Sequence, residues 1–524
     1  MEKGQSTKQL FKGALLLTLA GLISKVFSAG YRIPLQNITG DVGFYIYQQI
    51  YPILGIATML GLYGFPVAIS REVAKQKEQD GHLTTNMFNM LILLIIFNGL
   101  LFIGMYLSAS SIAVWMGDLN LVGPIKVAAF IFLLIPFLSF FRGMFQGLNN
   151  MKPTALSQVA EQLIRVGIII FIAIFLVKQG YNIYWVGTGA ALGSILGAFF
   201  STLVLFYIWK RKKTIHVQRF DFNVFSFMKA IIIYGLIISI NHMILLLFQF
   251  VDAFTLVPNL ITFGESIEEA KVWKGIFDRA QPLIQLGAVL GSSFALALVP
   301  SVTEKRMKQF PNLFHSHLQS AIKFSFLLSV GATVGLITIF PYANTLLFLD
   351  NKGSGSLELL TITIFFASLV ITTASILQGL GYVKATAGSI IVGVLVKWIL
   401  NISLIPTLHI NGSAIATVLS SSIILLLNLI ILKKVLPSTK LFVIPWRTFL
   451  LSISGMVIFL FIMNGLVTKV VVLTTRLDYL VYVLCVSIVG ALIYLFLLVK
   501  YNGFTKEELR ALPFGEQLSR LNRQ

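Results

Sequence analysis

About fourteen long apolar stretches leave this chain one kind of fold. They run about 10–32, 43–69, 86–107, 122–147, 155–178, 184–209, 228–251, 276–300, 318–341, 357–378, 386–406, 411–432, 446–466 and 479–500. A helix of about 20 apolar residues crosses a hydrocarbon layer of about 30 Å, and each stretch meets that length. Lipid offers no partners to backbone N–H and C=O groups, so spans of this length close their hydrogen bonds internally, as helices. The expectation is an all-α polytopic membrane protein with about 14 transmembrane helices. Composition agrees, with 57% hydrophobic and 11% charged residues, where a soluble protein carries about 25% charged residues. Mean hydropathy is +0.87. The first stretch is too long for a signal peptide and lacks a small-residue cleavage site, so it reads as a retained helix. A single cysteine, Cys485, excludes an intrachain disulfide and reads as packing.

The chain is written twice. QGLNNMKPTALSQVAEQLIR, starting at Gln146, returns as QGLGYVKATAGSIIVGVLVK, starting at Gln378, an offset of 232 residues without a gap. Eight of the twenty positions are identical, among them Gln, Lys and Thr, which chance similarity between two apolar helices would not supply. Gly43 and Gly55 fall on Gly275 and Gly287 at the same offset. The repeat predicts a six-helix lobe over 1–215, a second over 216–435, two added helices within 436–500 and a tail over 501–524. Copies of six helices enter the membrane the same way, so a pseudo-twofold axis along the membrane normal is expected. Transporters built on such repeats bind near the midplane, where the repeats meet.

Net charge is +20. In a soluble chain this would suggest nucleic acid, but here the excess sits in loops and reads as membrane orientation. Lys and Arg total about 25 on the face that holds both termini against about 6 on the other, which makes the termini cytoplasmic; the plasma membrane is the expected location. The strongest contributors are Lys210, Arg211, Lys212 and Lys213, then Lys305, Arg306 and Lys308, then Lys433 and Lys434. The 252–275 segment, with Asp252, Glu265, Glu268 and Glu269, reads as an outer loop.

Charges inside spans carry the functional signal, because each must face a partner or a wet cavity. Lys25 stands deep in the first span, and Arg32, seven residues on, shares its face. Snorkelling toward the interface is the alternative for Lys25 and the default for Arg142. Glu161 and Arg165 are spaced i, i+4, so they either neutralise each other or set Glu161 to orient Arg165. Lys397 stands at the matching position of the second copy, with Gly393 in place of the glutamate. Lys25, Arg165 and Lys397 against Glu161 make an interior suited to an anion. Asp278 and Arg279 open the eighth span, where they either pair with each other or gate its mouth. The HSH run at His315 and His317 lacks a Cys or carboxylate cluster, so no metal is expected. No Walker loop, HExxH or GxSxG occurs, so neither ATP-driven nor hydrolytic chemistry is marked.

Three segments carry a resemblance to a known family. SKVFSAGYR at 24–32, TGDVGFYIY at 39–47 and GFPVAISREVAKQ at 64–76 resemble the start of the stage V sporulation protein B and polysaccharide-biosynthesis exporter family. That family belongs to the superfamily that includes the lipid II flippase and the MATE antiporters. By this resemblance Lys25 stands where the family's Ser/Thr-Arg motif has a basic residue, and Arg32 is the arginine that follows. Lysine keeps the charge and loses the bidentate fork. The resemblance implies a transporter rather than an enzyme, needing no cofactor. Its substrate would be an undecaprenyl-diphosphate-linked saccharide moved by alternating access, bound by Lys25 and Arg32; the charges inside spans add Glu161, Arg165, Arg279 and Lys397 as expected substrate-binding residues. Membrane lipids and cell-wall synthesis proteins are the partners it implies, and the last two helices would form a groove for the lipid tail. A MATE-like cation-coupled drug antiporter is the alternative, and it would need acidic groups at midplane. A membrane glycosyltransferase would need carboxylates in a sizeable outer loop, and a scaffold has no use for a buried Lys397.

Overall fold

The computed structural model describes residues 16–17, 19–80, 86–211, 229–298, 302, 304–469, 473–510 and 516–517. Lys212 and Lys213, most of the 209–228 linker and the start of the first span lie outside the described residues. Every regular element among those described is helical, and twelve helices are long and apolar enough to cross a membrane. The expected number of about 14 is not reached among them for local reasons. One helix, Leu19–Lys75, runs through two expected spans, bending at Gly40, whose φ of 67° and ψ of −175° interrupt it. The seventh span is broken near its middle and is counted through Ile244–Phe263, whereas the expected eighth, helical over Ala280–Leu298, is not among the twelve.

The chain forms two compact units, residues 1–278 with 398–409, and 279–397 with 410–524. Their bounds differ from those of the sequence copies. The first unit begins with α1 (19–30), α2 (Arg32–Met59), a π-helical turn (Leu60–Gly64) and α3 (Phe65–Asp80). Next come α4 (Asn86–Leu107), α5 (Ala109–Trp115), α6 (Val122–Ala129), α7 (Ile131–Gly147), α8 (Lys152–Lys178) and α9 (Trp185–Arg211). A second π turn (Lys229–Ile233) leads into α10 (Tyr234–His242), and α11 (Ile244–Phe263) and α12 (Ile267–Asp278) complete this part of the chain.

The expected outer loop at 252–275 is therefore mostly helix, with only 264–266 between α11 and α12. Asp252 marked the end of a span by its charge. In the structure Asn401 donates to its carboxylate at 2.9 Å, so the helix continues past it. In the same unit α9 lies close along α8, because its glycines remove the side chains that would hold the backbones apart. A Cβ on Gly197 would stand 2.7 Å from the Glu161 carbonyl oxygen, and one on Gly193 3.1 Å from that of Arg165.

The second unit contains α13 (Ala280–Leu298), α14 (Glu304–Gln309), α15 (Pro311–Phe348), α16 (Ser354–Thr361) and α17 (Thr363–Gly379). After α18 (Val383–Leu408), which crosses the unit boundary, come α19 (Ile410–Val435), α20 (Trp446–Lys469), α21 (Arg476–Lys500) and α22 (Lys506–Arg510). The repeat is visible in element ends. α6 and α16, and likewise α7 and α17, begin and end 232 residues apart.

The last two long helices, α20 and α21, pack on α15 through Phe324, Leu327, Met456, Leu460, Tyr494 and Leu498. The Tyr494 hydroxyl donates to the Leu327 carbonyl at 2.7 Å. These three helices enclose an apolar groove of about 330 Å³ lined by Gly331, Gly335, Met456, Leu460, Gly490 and Tyr494, among others.

Candidate functional site

The first unit gathers its interior charge from four helices. α7 and α8 are joined by a tight turn that begins where α7 ends at Gly147, and Pro153 fits the first turn of α8, where its missing N–H is not needed. From that start, Ser157, Glu161 and Arg165 fall on one face at intervals of four. Glu161 is the centre of the cluster. One of its oxygens accepts from Arg142 at 2.7 Å and the other from Arg165 at 2.5 Å. Arg142 also donates to Ser157, to Ser201 and to the Gly61 carbonyl, each at 3.1 Å. It is therefore a buried brace on the π turn, correcting the snorkelling expected from its place near the end of a span. Arg165 reaches Thr58 at 3.3 Å. Two guanidinium groups against one carboxylate leave this cluster one positive charge.

Arg32 opens α2 and is fully buried. Its guanidinium lies 3.9 Å above the centre of the Tyr51 ring, and none of its three nitrogens has a well-aligned hydrogen-bond partner, the Tyr47 hydroxyl being the neighbouring acceptor. Tyr31 and Tyr47 share a hydrogen bond beside it, and Tyr47 stacks obliquely on Tyr51, 5.7 Å between centroids. Tyr47 and Tyr51 are one helical turn apart, which is why both rings reach the same cation. A desolvated cation–π contact returns about 2 kcal/mol, less than the several kcal/mol per ion that burial costs. Asp278 is an electrostatic neighbour of Arg32 but forms its ion pair with Lys274. Lys25 has an exposed side chain although protein surrounds it, and it forms no ion pair among the described residues. Lys25, Arg32, Glu161 and Arg165 thus belong to one unit.

In the second unit Lys397 is fully buried and donates to the Thr417 hydroxyl. Arg279 holds Asp350 with two hydrogen bonds, 2.6 and 3.1 Å, and lies over Phe348. The expected alternatives for Asp278 and Arg279 give way to two separate pairs, because Lys274 stands one turn before Asp278 on α12. Asp350 lies in the turn between α15 and α16. Partial burial pushes its carboxyl up, but the Arg279 hydrogen bonds and the Lys352 N–H outweigh this and hold it below the ordinary carboxylate value. A lowered value means stability that is present at neutral pH and lost as pH falls through the folded-state value. Asp350→Asn should therefore unfold at lower temperature than the wild type at pH 7, and the two thermal midpoints in detergent should converge as the buffer is taken toward pH 3.

Two polar clusters in the first unit carried no sequence signal. Asp118 accepts from Tyr184 at 2.6 Å and from Tyr45 at 3.3 Å, with Lys271 at 3.5 Å. Asp252 is buried, and the Asn401 amide that donates to it also donates to Thr255 at 2.8 Å. Both depend on residues distant in the chain.

The chain was also compared with known proteins. The sequence profile described as Polysaccharide biosynthesis protein matches residues 10–306. Uncharacterized membrane protein YabM of Bacillus subtilis (strain 168) is 38% identical over 98% of this chain and 97% of its own length. Lipid II flippase MurJ of the same organism is 28% identical over 82% and 83%. Stage V sporulation protein B, also from that organism, is 27% identical over 97% and 98%. Among solved structures, a lipid II flippase MurJ in an inward closed conformation superposes with a TM-score of 0.63 at 16% identity, covering 92% of this chain and 98% of that one. An inward-facing multidrug resistance MATE family transporter gives 0.62 at 17%, covering 82% and 100%. The structural likenesses establish the shared fold, and the sequence matches establish that this chain belongs to the polysaccharide biosynthesis protein family.

Proposed function

We propose that this chain is a flippase that carries an undecaprenyl-diphosphate-linked saccharide or peptidoglycan precursor across the plasma membrane by alternating access. The observation that carries the reading is Arg32, a buried guanidinium in a tyrosine cage with no ion pair among the described residues. A diphosphate supplies the acceptors and charge such a group lacks, and planar donors suit phosphate oxygens. Lys25 and the extra charge on the Arg142–Glu161–Arg165 cluster add to the attraction. The groove between α15, α20 and α21 has the apolar lining a polyprenyl tail needs, and two relatives named for lipid II transport and for sporulation support the same class.

Within this reading the two sequence copies are the moving lobes, both termini are cytoplasmic, and the protein is a transporter without catalytic chemistry. Cysteines placed at 210–211 should react only with membrane-permeant reagents, and cysteines at 265–266 also with impermeant ones. The reverse pattern would overturn the orientation.

A cation-coupled drug antiporter is the second reading, favoured by buried Asp252 and by the MATE-like fold. The lipid that copurifies with the protein from its native membrane separates the two. A polyprenyl diphosphate bearing a glycan is the expected result, and its absence from Arg32-intact protein would remove the flippase reading.

A further inference from the structure

The first unit holds another titratable side chain, His242, to which the reading above gives no task. It ends α10, just before the helix breaks at Met243 (φ −121°, ψ 25°). Its ring lies nearly flat on Tyr63, with centroids 4.5 Å apart and planes 17° from parallel. Tyr63 belongs to the first π turn, a local geometry found frequently at functional sites. Glycines let the two segments touch, since a Cβ on Gly64 would stand 2.6 Å from the Gly235 carbonyl oxygen. The Tyr63 hydroxyl reaches α1, lying 3.6 Å from where a Cβ on Gly21 would be, with the Gln158 amide beside it. Lys25, one turn on from Gly21, is an electrostatic neighbour of His242. Like Lys25, His242 keeps an exposed side chain.

We propose that His242 is a proton-binding member of the anion site, taking up a proton when an anionic head group lodges beside Lys25, so that substrate binding carries a proton with it. This rests on the flippase reading and adds a coupling ion to it. Imidazole is the side chain whose ordinary titration falls between pH 5 and 8. An imidazolium next to the Lys25 ammonium is opposed by like-charge repulsion, and an anion seated between them cancels that repulsion. The other charged or titratable groups around α10 do not supply the anion. Arg142 lies behind Tyr63, and Arg71 of α3 sits 5.1 Å from the centre of the Tyr234 ring, at the opposite end of the helix. By reciprocity, the factor by which the anion favours the proton is the factor by which the proton favours the anion.

Farnesyl diphosphate is a probe with the required head group. Its binding to the detergent-solubilised full chain can be followed by calorimetry between pH 6 and pH 8, in buffers of low and high ionisation enthalpy. The wild type should bind about tenfold more tightly at pH 6 than His242→Gln does, and about equally at pH 8, because one pH unit of linked protonation is a factor of ten. Proton uptake per bound ligand should fall in His242→Gln and in His242→Asn, which keep a polar side chain but cannot titrate. Variants matching the wild type in affinity and proton uptake across the range would overturn the role of His242 and leave the anion site intact. Absence of binding by the wild type at every pH would instead overturn the anion site itself, and this inference with it.

Discussion

Glu161→Ala is expected to lose most of the folded protein. Both carboxylate oxygens are engaged by buried guanidinium groups, and removing the shared anion leaves Arg142 and Arg165 uncompensated. Breaking a buried ion pair from one side costs about 3–5 kcal/mol, a large share of the 5–15 kcal/mol that holds a typical domain. Arg165→Ala should be milder, since Arg142 still pairs with Glu161 and also braces Gly61, Ser157 and Ser201. The order of stability in detergent, by size-exclusion profile and thermal midpoint, should be wild type, then Arg165→Ala, then Arg142→Ala, with Glu161→Ala last. An Arg165→Ala chain as unstable as Glu161→Ala would mean that the pair is structural throughout and that Arg165 has no separate task.

Arg32→Ala should do the opposite, keeping the fold and losing the function. No carboxylate pairs with its guanidinium, and the Tyr47 hydroxyl beside it also bonds to Tyr31, so truncation removes a desolvation cost without orphaning a charged partner. Membrane yield and thermal midpoint should therefore hold or rise. Loss of a charge-assisted contact to a buried phosphate is expected to weaken binding by about 3 kcal/mol, roughly 100-fold. Arg32→Lys keeps the charge but not the planar stack on Tyr51, and should fall between the two. Titration with farnesyl diphosphate measures all three. Equal affinity in wild type and Arg32→Ala would assign the cage a packing role.

How far these sites were legible follows from how local their causes are. Helix identity is set by apolar length and could be read directly, whereas the breaks at Phe130 and Ile362, which divide the expected spans 122–147 and 357–378 at matching positions of the repeat, could not. Lys25, Arg32, Arg165 and Lys397 announced themselves because a charge inside an apolar span is rare. Their partners did not, because a partner is a matter of distance in space. Arg142 sits near a span end, where snorkelling is the ordinary outcome, and only the approach of α8 and α9, allowed by Gly193 and Gly197, surrounds it. Asp252 looked like the edge of a loop because its charge stopped the hydropathy run, and Asn401, which lets the helix pass, lies far along the chain. The pairing of Arg279 with Asp350 is hidden in the same way. Tyr47 and Tyr51 show a one-turn spacing in sequence, but nothing there says that a cation lies over the Tyr51 ring.

The central claim is that a cationic interior receives an anionic lipid-linked sugar, and transbilayer movement in proteoliposomes tests it most directly. Purified protein should move a fluorescent polyprenyl-diphosphate sugar from one leaflet to the other, and Arg32→Ala and Lys25→Ala, reconstituted to equal density, should move it much more slowly. If the same liposomes left that lipid in place but exchanged ethidium for protons or sodium, and Asp252→Asn stopped the exchange, the flippase account would be contradicted and the antiporter account would take its place.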